Sequence, residues 1–221
     1  MSGVRGVYAI YDRASLAHDR LDAVDAVLGA GAVWLQYRDK RDRAPDRGLL
    51  AELAALTRAH DARLIVNDDW RLAVEIGADG VHLGQTDGSV ARARAALGPS
   101  AIIGISCQDR LSRARAGLAA GAGYVSFGRF FASRTKPDAP PADPAVLAAA
   151  RQFGVPVVAI GGIDAANAAT LIDAGADLVA VSAGLFGAAD PAAATAELAG
   201  LFDARECAGA GRRGPGAEPL K

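Results

Sequence analysis

Short polar groups suited to a phosphorylated ligand recur along this sequence, each at the end of an apolar run. Gln36, Arg38 and Lys40 follow one run, Asn67, Asp68 and Asp69 the next, and Gln85 and Asp87 the one after. Ser106, the segment Gly128-Arg129-Phe130-Phe131-Ala132-Ser133-Arg134-Thr135-Lys136, the pair Gly161-Gly162, and Ser182 complete the series. Cationic side chains, two separated carboxylates and several amide or hydroxyl groups suit a polyanion bound with a divalent metal, and diphosphate is the economical ligand. Arginine forks onto two phosphate oxygens, whereas lysine acts as a point charge. Mg²⁺ takes one or two protein carboxylates and fills its octahedron with phosphate oxygens and water, so Asp68 and Asp87 would suffice. His18, His60 and His82 have no spacing that converges with Cys107 and Cys207, which disfavours zinc. Gly161-Gly162 and Val179-Ala180-Val181-Ser182-Ala183-Gly184 match a different device, a phosphate cradled by backbone amides that glycine lets approach closely.

Several of these residues also have plainer readings. Asp69 stands just before Trp70-Arg71-Leu72-Ala73-Val74 and reads as a helix cap, and a cap is the default for Asp12 as well. His82 falls between Val81 and Leu83 and reads as a hydrogen-bonded packing residue. Arg129 and Arg134 fit either ligand contact or solvation. Cys107 has no histidine near it in sequence to activate a thiolate. Trp34, Tyr37 and Phe127 read as packing residues.

The elements that must position these groups follow from an internal repeat. Gly29-Ala30-Gly31-Ala32-Val33-Trp34-Leu35, Gly77-Ala78-Asp79-Gly80-Val81-His82-Leu83, Gly121-Ala122-Gly123-Tyr124-Val125-Ser126-Phe127 and Gly175-Ala176-Asp177-Leu178-Val179-Ala180-Val181 each read as a helix ending in glycine followed by a buried strand. They recur roughly every 50 residues, room for one more strand in each interval. Residues 6–11, 63–67, 101–106 and 155–160 supply those strands, being short, apolar and β-branched. Helical stretches separate the strands at about 16–28, 49–59, 71–76, 89–97, 111–119, 144–152, 166–174 and 191–202. Strict alternation demands parallel pairing, and continuously apolar strands demand cover on both faces. The expectation is therefore an α/β protein, a single compact (β/α)8 TIM barrel over residues 1–205. Its active site would lie at the carboxyl ends of the strands, where the polar groups fall. Residues 206–221, rich in Gly, Pro, Arg and Ala without periodicity, read as a disordered tail.

Composition narrows the function further. The chain of 221 residues balances 24 Lys and Arg against 25 Asp and Glu, for a net charge of -1, which argues against a general nucleic-acid binder. Any cationic site must be local. Two distant cysteines and an N-terminus without an export signal point to free thiols and a cytoplasmic setting. Charged residues interrupt each apolar run before it could span a membrane, so no membrane role is expected. Composition leaves both a monomer and a homo-oligomer open.

Taken together, Gln36-Tyr37-Arg38-Asp39-Lys40, Val66-Asn67-Asp68-Asp69, Gly80-Val81-His82-Leu83-Gly84-Gln85-Thr86-Asp87, Gly104-Ile105-Ser106, Ser133-Arg134-Thr135-Lys136, Ala159-Ile160-Gly161-Gly162-Ile163 and Val181-Ser182-Ala183 make the chain resemble the thiamine-phosphate synthase family. The resemblance spans about residues 6–202. It implies a (β/α)8 barrel that joins hydroxymethylpyrimidine diphosphate to hydroxyethylthiazole phosphate with Mg²⁺, releasing diphosphate. It implies that Asp68 and Asp87 hold the metal, and that Gln36, Arg38, Lys40, Asn67, Ser106 and Lys136 surround the pyrimidine diphosphate. Ser133, Thr135, Gly162, Ser182 and the backbone of Val181 would hold the thiazole phosphate, and Arg38, Lys40, Lys136 and Ser106 would carry the catalysis. The chain departs from the family's habit at Arg129 and Ala132, where prolines are usual, at Ser133, where threonine is, at Gln108, where histidine is common, and at Gly184, where isoleucine is. Two other functions compete: a thiazole tautomerase-like isomerase, which would want a histidine on the loop holding Arg129, and a phosphorylated-ligand-binding barrel without catalysis, which would not need the metal carboxylates.

Overall fold

Eight short runs with apolar or β-branched residues on both faces form β1 (Gly6–Asp12), β2 (Ala32–Arg38), β3 (Arg63–Asn67), β4 (Gly80–Leu83), β5 (Ile102–Gln108), β6 (Tyr124–Phe127), β7 (Val157–Ile160) and β8 (Leu178–Val181) in the computed structural model, which describes residues 3–16, 19–41, 44–84, 88–132 and 140–210. Each strand pairs in parallel with the next, and β8 pairs with β1 through Gly6 opposite Leu178 and Ala9 opposite Val181, closing the barrel. Successive side chains of a strand point to opposite faces. Tyr8, Ile10, Trp34, Ile65, Ile102, Tyr124, Val158, Leu178 and Ala180 therefore pack together inside. Val7, Ala9, Leu35, Val66, Val81, Ile103, Val125 and Val179 turn outward into the larger core beneath the helices.

The helices that cover the barrel are α1 (Leu21–Gly29), α2 (Arg47–Ala59), α3 (Trp70–Glu75), α4 (Val90–Leu97), α5 (Leu111–Ala119), α6 (Ala145–Ala150), α7 (Ala165–Asp173), α8 (Ala183–Phe186) and α9 (Pro191–Ala210). Side chains start several of them: Asp46 accepts from Leu49 N, Asp69 from Arg71 and Leu72 N, and Ser89 from Arg92 N, while Asp164 and Asn167 form a reciprocal capping box. Asp69 is thus the cap expected from sequence. Among the described residues no helix is long and apolar enough to cross a membrane.

The repeated Gly-Ala-Asp segments tie the strands together at the end opposite the polar groups. The Asp79 carboxylate accepts from Leu64 N of β3 at 2.8 Å while its carbonyl accepts from Ile102 N of β5 at 2.9 Å. Asp177 does the same between Val157 N of β7, at 2.9 Å, and Gly6 N of β1, at 3.1 Å. These aspartates satisfy strand donors that the ladder leaves unpaired, and so stabilise the barrel at the face remote from chemistry.

Two elements differ from the sequence expectation. Residues 183–186 form the extra turn α8, too short for periodicity to signal, and α9 runs on to Ala210, five residues past the boundary drawn at 205. Glu206, Cys207 and Ala208 simply continue a helix begun upstream, because propagation is far easier than nucleation. Residues 211–221 lie outside the described residues.

Candidate active site

The strand alternation that builds the core also builds a cavity of about 630 Å³ at the carboxyl ends of the strands. Tyr8, Ile10 and Asp12 of β1 point into it at every second position, and so do Gln36 and Arg38 of β2, with Lys40 continuing the series just beyond the strand. Asn67, His82, Ser106, Ser126, Val158 and Ile160 enter from β3 to β7, and Asp68, Arg129, Gly162, Val181 and Ser182 line the rim and wall. Nine residues expected at the site, Gln36, Arg38, Lys40, Asn67, Asp68, Ser106, Gly162, Val181 and Ser182, therefore share one cavity. Asp87, Ser133, Thr135, Lys136 and Arg134 lie outside the described residues.

The rim is electrostatically prearranged. Arg38 is one-fifth exposed and its guanidinium donates to the Asp12 carboxylate, which is only 3% exposed. Asp12 also accepts from Ala14 N at 3.3 Å and from Ser15 Oγ at 3.1 Å, so it caps a short 3₁₀ turn and anchors Arg38 at once. Lys40 pairs with Asp68. Asp68 adopts a left-handed backbone, φ 66°, while its N–H donates to the His82 carbonyl at 2.8 Å. A non-glycine residue holds that conformation only where its surroundings enforce it, and here the bond to β4 helps do so.

Behind the rim, Arg13 is 97% buried and lies within 3.5 Å of Asp39 and 3.4 Å of Asp46, besides pairing with Asp19. Arg41, bonded side chain to side chain, holds the Asp39 carboxyl down at about 2. This network joins the loops after β1 and β2 to the start of α2, and so fixes the stretch that carries Lys40.

The wall formed after β7 and β8 is backbone-rich. Gly161 (φ 107°) and Gly162 (φ 66°) both occupy conformations that favour glycine, and a Cβ on Gly162 would lie 2.3 Å from the Ala132 carbonyl oxygen. A Cβ on Gly184 would stand 2.7 Å from the Ile163 carbonyl oxygen, so a larger side chain here would require the neighbouring backbone to shift. Arg129 lies against the same wall with its Nε buried, so it belongs to the cavity and not to a solvated loop.

Across the floor runs a hydrogen-bonded series. Gln36 Nε2 donates to Tyr8 OH at 2.7 Å, Tyr8 OH and Tyr124 OH are 3.0 Å apart, Tyr124 OH meets His82 Nδ1 at 2.8 Å, and His82 Nε2 meets Ser106 Oγ at 2.9 Å. Burial pushes the Tyr8 and Tyr124 hydroxyls well above the usual phenol range, so both stay protonated. His82 is hydrogen-bonded within the barrel, as expected, and it also reaches the cavity. Sequence reasoning read Asp12 as a cap alone and did not single out Tyr8, Tyr124 or Ser126. The i, i+2 spacing from Tyr8 through Ile10 to Asp12 is the signal that would have found Asp12.

The donor set suits a hard divalent cation. Asp68 offers a rim carboxylate facing the cavity beside the Asn67 amide, all-oxygen chemistry of the kind Mg²⁺ takes, and the cationic Lys40 already occupies the charge position next to it. Among the described residues no three His, Cys, Asp or Glu side chains cluster into a protein-only cage. The residues present fit a cation that completes its shell with substrate oxygens.

Cys107 adjoins this floor but faces away from it. It is fully buried, and that burial pushes its thiol up to about 12. Because only the thiolate reacts, Cys107 should resist alkylation by iodoacetamide at pH 8 in the folded protein and react fully once the protein is denatured, as peptide mass mapping would read. Rapid labelling of the native protein would contradict the packing described.

The chain matches the family described as Thiamine monophosphate synthase over residues 7–185. It is 54% identical over 204 residues to the thiamine-phosphate synthase of Chromobacterium violaceum, covering 91% of this chain and 98% of that one. It is 53% identical over 201 residues to the thiamine-phosphate synthase of Thiobacillus denitrificans, covering 90% and 95%. Among solved structures it resembles the thiamine phosphate pyrophosphorylase of Pyrococcus furiosus with a TM-score of 0.78 at 32% identity, covering 90% of this chain and 96% of that one. A closed eight-stranded barrel, a polar rim at its carboxyl end and relatives of matching length at this identity lead to one conclusion: the chain belongs to the thiamine-phosphate synthase family.

Proposed function

We propose that this enzyme condenses 4-amino-2-methyl-5-(diphosphooxymethyl)pyrimidine with 4-methyl-5-(2-phosphooxyethyl)thiazole to give thiamine phosphate and diphosphate, acting on small molecules in the cytoplasm with Mg²⁺. The observation that carries this reading is the convergence of Arg38, Lys40, Asn67 and Asp68 on one side of a single cavity with Gly162 and Ser182 on the other. One side suits the diphosphate and the other the thiazole phosphate.

The thiazole nitrogen is already a nucleophile and needs no general base. What must be stabilised is departure: the bond from the pyrimidine methylene to the diphosphate oxygen breaks, its electron pair stays on diphosphate, and the nitrogen then bonds to the cationic carbon. Bound Mg²⁺, held by Asp68 and Asp87, would supply charge neutralisation to the leaving diphosphate. Arg38 donates to the same oxygens while its other face remains on Asp12, so it needs little reorganisation as charge grows. Lys40, and Lys136 from the loop after β6, add point charges. Gln36 and Ser106 orient the ring from below. The backbone of Gly162 and Val181, with Ser133, Thr135 and Ser182, holds the second phosphate and so presents the thiazole nitrogen to the methylene.

Mixing the purified protein with both half-molecules and Mg²⁺ tests the reading. Thiamine phosphate and diphosphate should form in equal amounts, and a chelator should stop them. Product formed at full rate without metal would remove the roles given to Asp68 and Asp87, and isomerised thiazole as the sole product would replace the synthase with an isomerase.

A further inference from the structure

The wall after β7 meets the cavity with backbone, and its peptide groups are held from behind. Three successive carbonyls, those of Ile160, Gly161 and Gly162, accept hydrogen bonds. Phe130 N donates to the first at 3.3 Å and Phe131 N to the second at 3.0 Å, both from the segment after β6. A side chain holds the third: Asn167 Nδ2 donates to Gly162 O at 2.9 Å. Asn167 stands in the first turn of α7, outside the cavity, whereas Gly162 and Ile163 line it.

Asn167 does two things at once, and only an amide can do both. Its Oδ1 accepts from Asp164 N at 3.1 Å and closes the capping box, while its Nδ2 serves Gly162. A backbone N–H only donates and a backbone carbonyl only accepts, so these two partners fix which amide atom is which. The start of the helix alone would be served as well by Glu, but a carboxylate has no proton to give Gly162 O. In a planar trans peptide the carbonyl and the N–H point in opposite directions. Holding Gly162 O against α7 therefore turns the Ile163 N–H away from α7, to the side on which the cavity lies. The carbonyl that would repel an anion is withdrawn, and the donor that would bind one faces forward. The neighbouring acid, Asp164, keeps its Oδ1 on Ala166 N and Asn167 N.

We propose that Asn167 is a positioning residue for the thiazole substrate: by fixing the Gly162–Ile163 peptide it presents the Ile163 N–H to that substrate's phosphate, and so makes the site choose the phosphorylated thiazole over the free alcohol. The inference rests on the proposed reaction for the identity of this ligand. An N–H bonded to a phosphate oxygen is charge-assisted, and it is strongest where its direction is set before the ligand arrives. The effect of Asn167 is confined to this end of the cavity, because nothing in its bonds reaches Arg38, Lys40 or Asp68.

Two variants separate this role from helix capping. Asn167→Asp keeps an acceptor for Asp164 N and loses the donor, and Asn167→Ala is neutral and loses both. Each should raise the KM for the thiazole phosphate by about tenfold, the usual worth of a hydrogen bond to a charged group, with kcat little changed. The KM for the pyrimidine diphosphate and the inhibition constant of the unphosphorylated thiazole alcohol should stay within about twofold, since neither uses this donor. Folded variants in which both substrates weaken alike, or neither does, would overturn the proposal and leave Asn167 as a cap. A rise with Asp and none with Ala would trace to the added charge and would also overturn it. The unaltered protein gives a reading that needs neither variant nor turnover: titrated with inorganic phosphate, its Ile163 amide proton should move downfield in nitrogen-15 correlated spectra. An Ile163 amide that stays put would overturn the proposal, and this titration decides should neither variant fold. Should the protein make no thiamine phosphate while Ile163 still answers to phosphate, the proposed reaction fails and the presented N–H stands.

Discussion

Arg38→Ala lowers kcat for thiamine phosphate formation by about 10²- to 10³-fold, the usual cost of losing one prealigned donor to a developing anion. The size of the effect follows from where the guanidinium sits. It lies on the cavity rim with most of its surface covered, and the nearly buried Asp12 carboxylate already fixes its orientation. The diphosphate therefore meets a donor whose ordering was accomplished during folding. Arg38→Lys retains the charge but loses the planar fork, so it should recover only part of the rate. Asp12→Asn separates anchoring from capping. The neutral amide oxygen can still accept from Ala14 N, while the charge-assisted contact to Arg38 weakens, and a drop of about tenfold in kcat with little change in melting temperature is expected. Steady-state kinetics with melting curves for all three variants check this set. A kcat for Arg38→Ala within about threefold of the parent would remove Arg38 from the leaving-group site, because losing one prealigned donor costs about 10²-fold or more.

That dependence on Asp12 marks the boundary between what sequence disclosed and what it did not. The barrel was legible because glycine-terminated helices and buried strands recur at regular spacing, and closure follows from strict alternation in a chain of this length. Gln36, Arg38 and Asp68 were legible because polar residues stand out against the apolar runs they end. Asp12 ends β1 in the same manner, but its local capping signal is indistinguishable from that of Asp69, and only the approach of β2 separates them. Tyr8 and Tyr124 were harder still. They are 116 residues apart, look like core aromatics, and acquire a polar role only when the barrel closes and brings their hydroxyls within 3.0 Å. The phosphate wall was visible as a double glycine, yet the reason for Gly162 is the Ala132 carbonyl on another loop. Long-range pairing of this kind leaves no mark in local spacing.

Gly104 depends on the same closure, and Gly104→Ala should be strongly damaging for a change of a single methyl. An ideal Cβ on Gly104 would fall 1.9 Å from Tyr124 Cζ and within 2.3 Å of both Cε atoms. The ring has nowhere to go. Trp34 lies against it at 5.0 Å between centroids, Tyr8 meets it edge-on at 6.2 Å, and His82 stacks on it at 5.5 Å. Overpacking a core costs about 1–3 kcal/mol, and a clash with three atoms of a wedged ring belongs at the upper end. At about 2–4 °C per kcal/mol for a chain of this size, the melting temperature should fall by about 6–12 °C. Any movement that relieves the overlap also shifts the Tyr124 hydroxyl from Tyr8 and His82, so kcat/KM should fall with stability. The cause can be isolated by a double-mutant cycle: once Tyr124→Ala has emptied the space, adding Gly104→Ala should cost far less than it does alone, since residues that share a site are not additive. Equal losses in both backgrounds would mean that the Tyr124 ring does not rest over Gly104, and the floor would have to be redrawn.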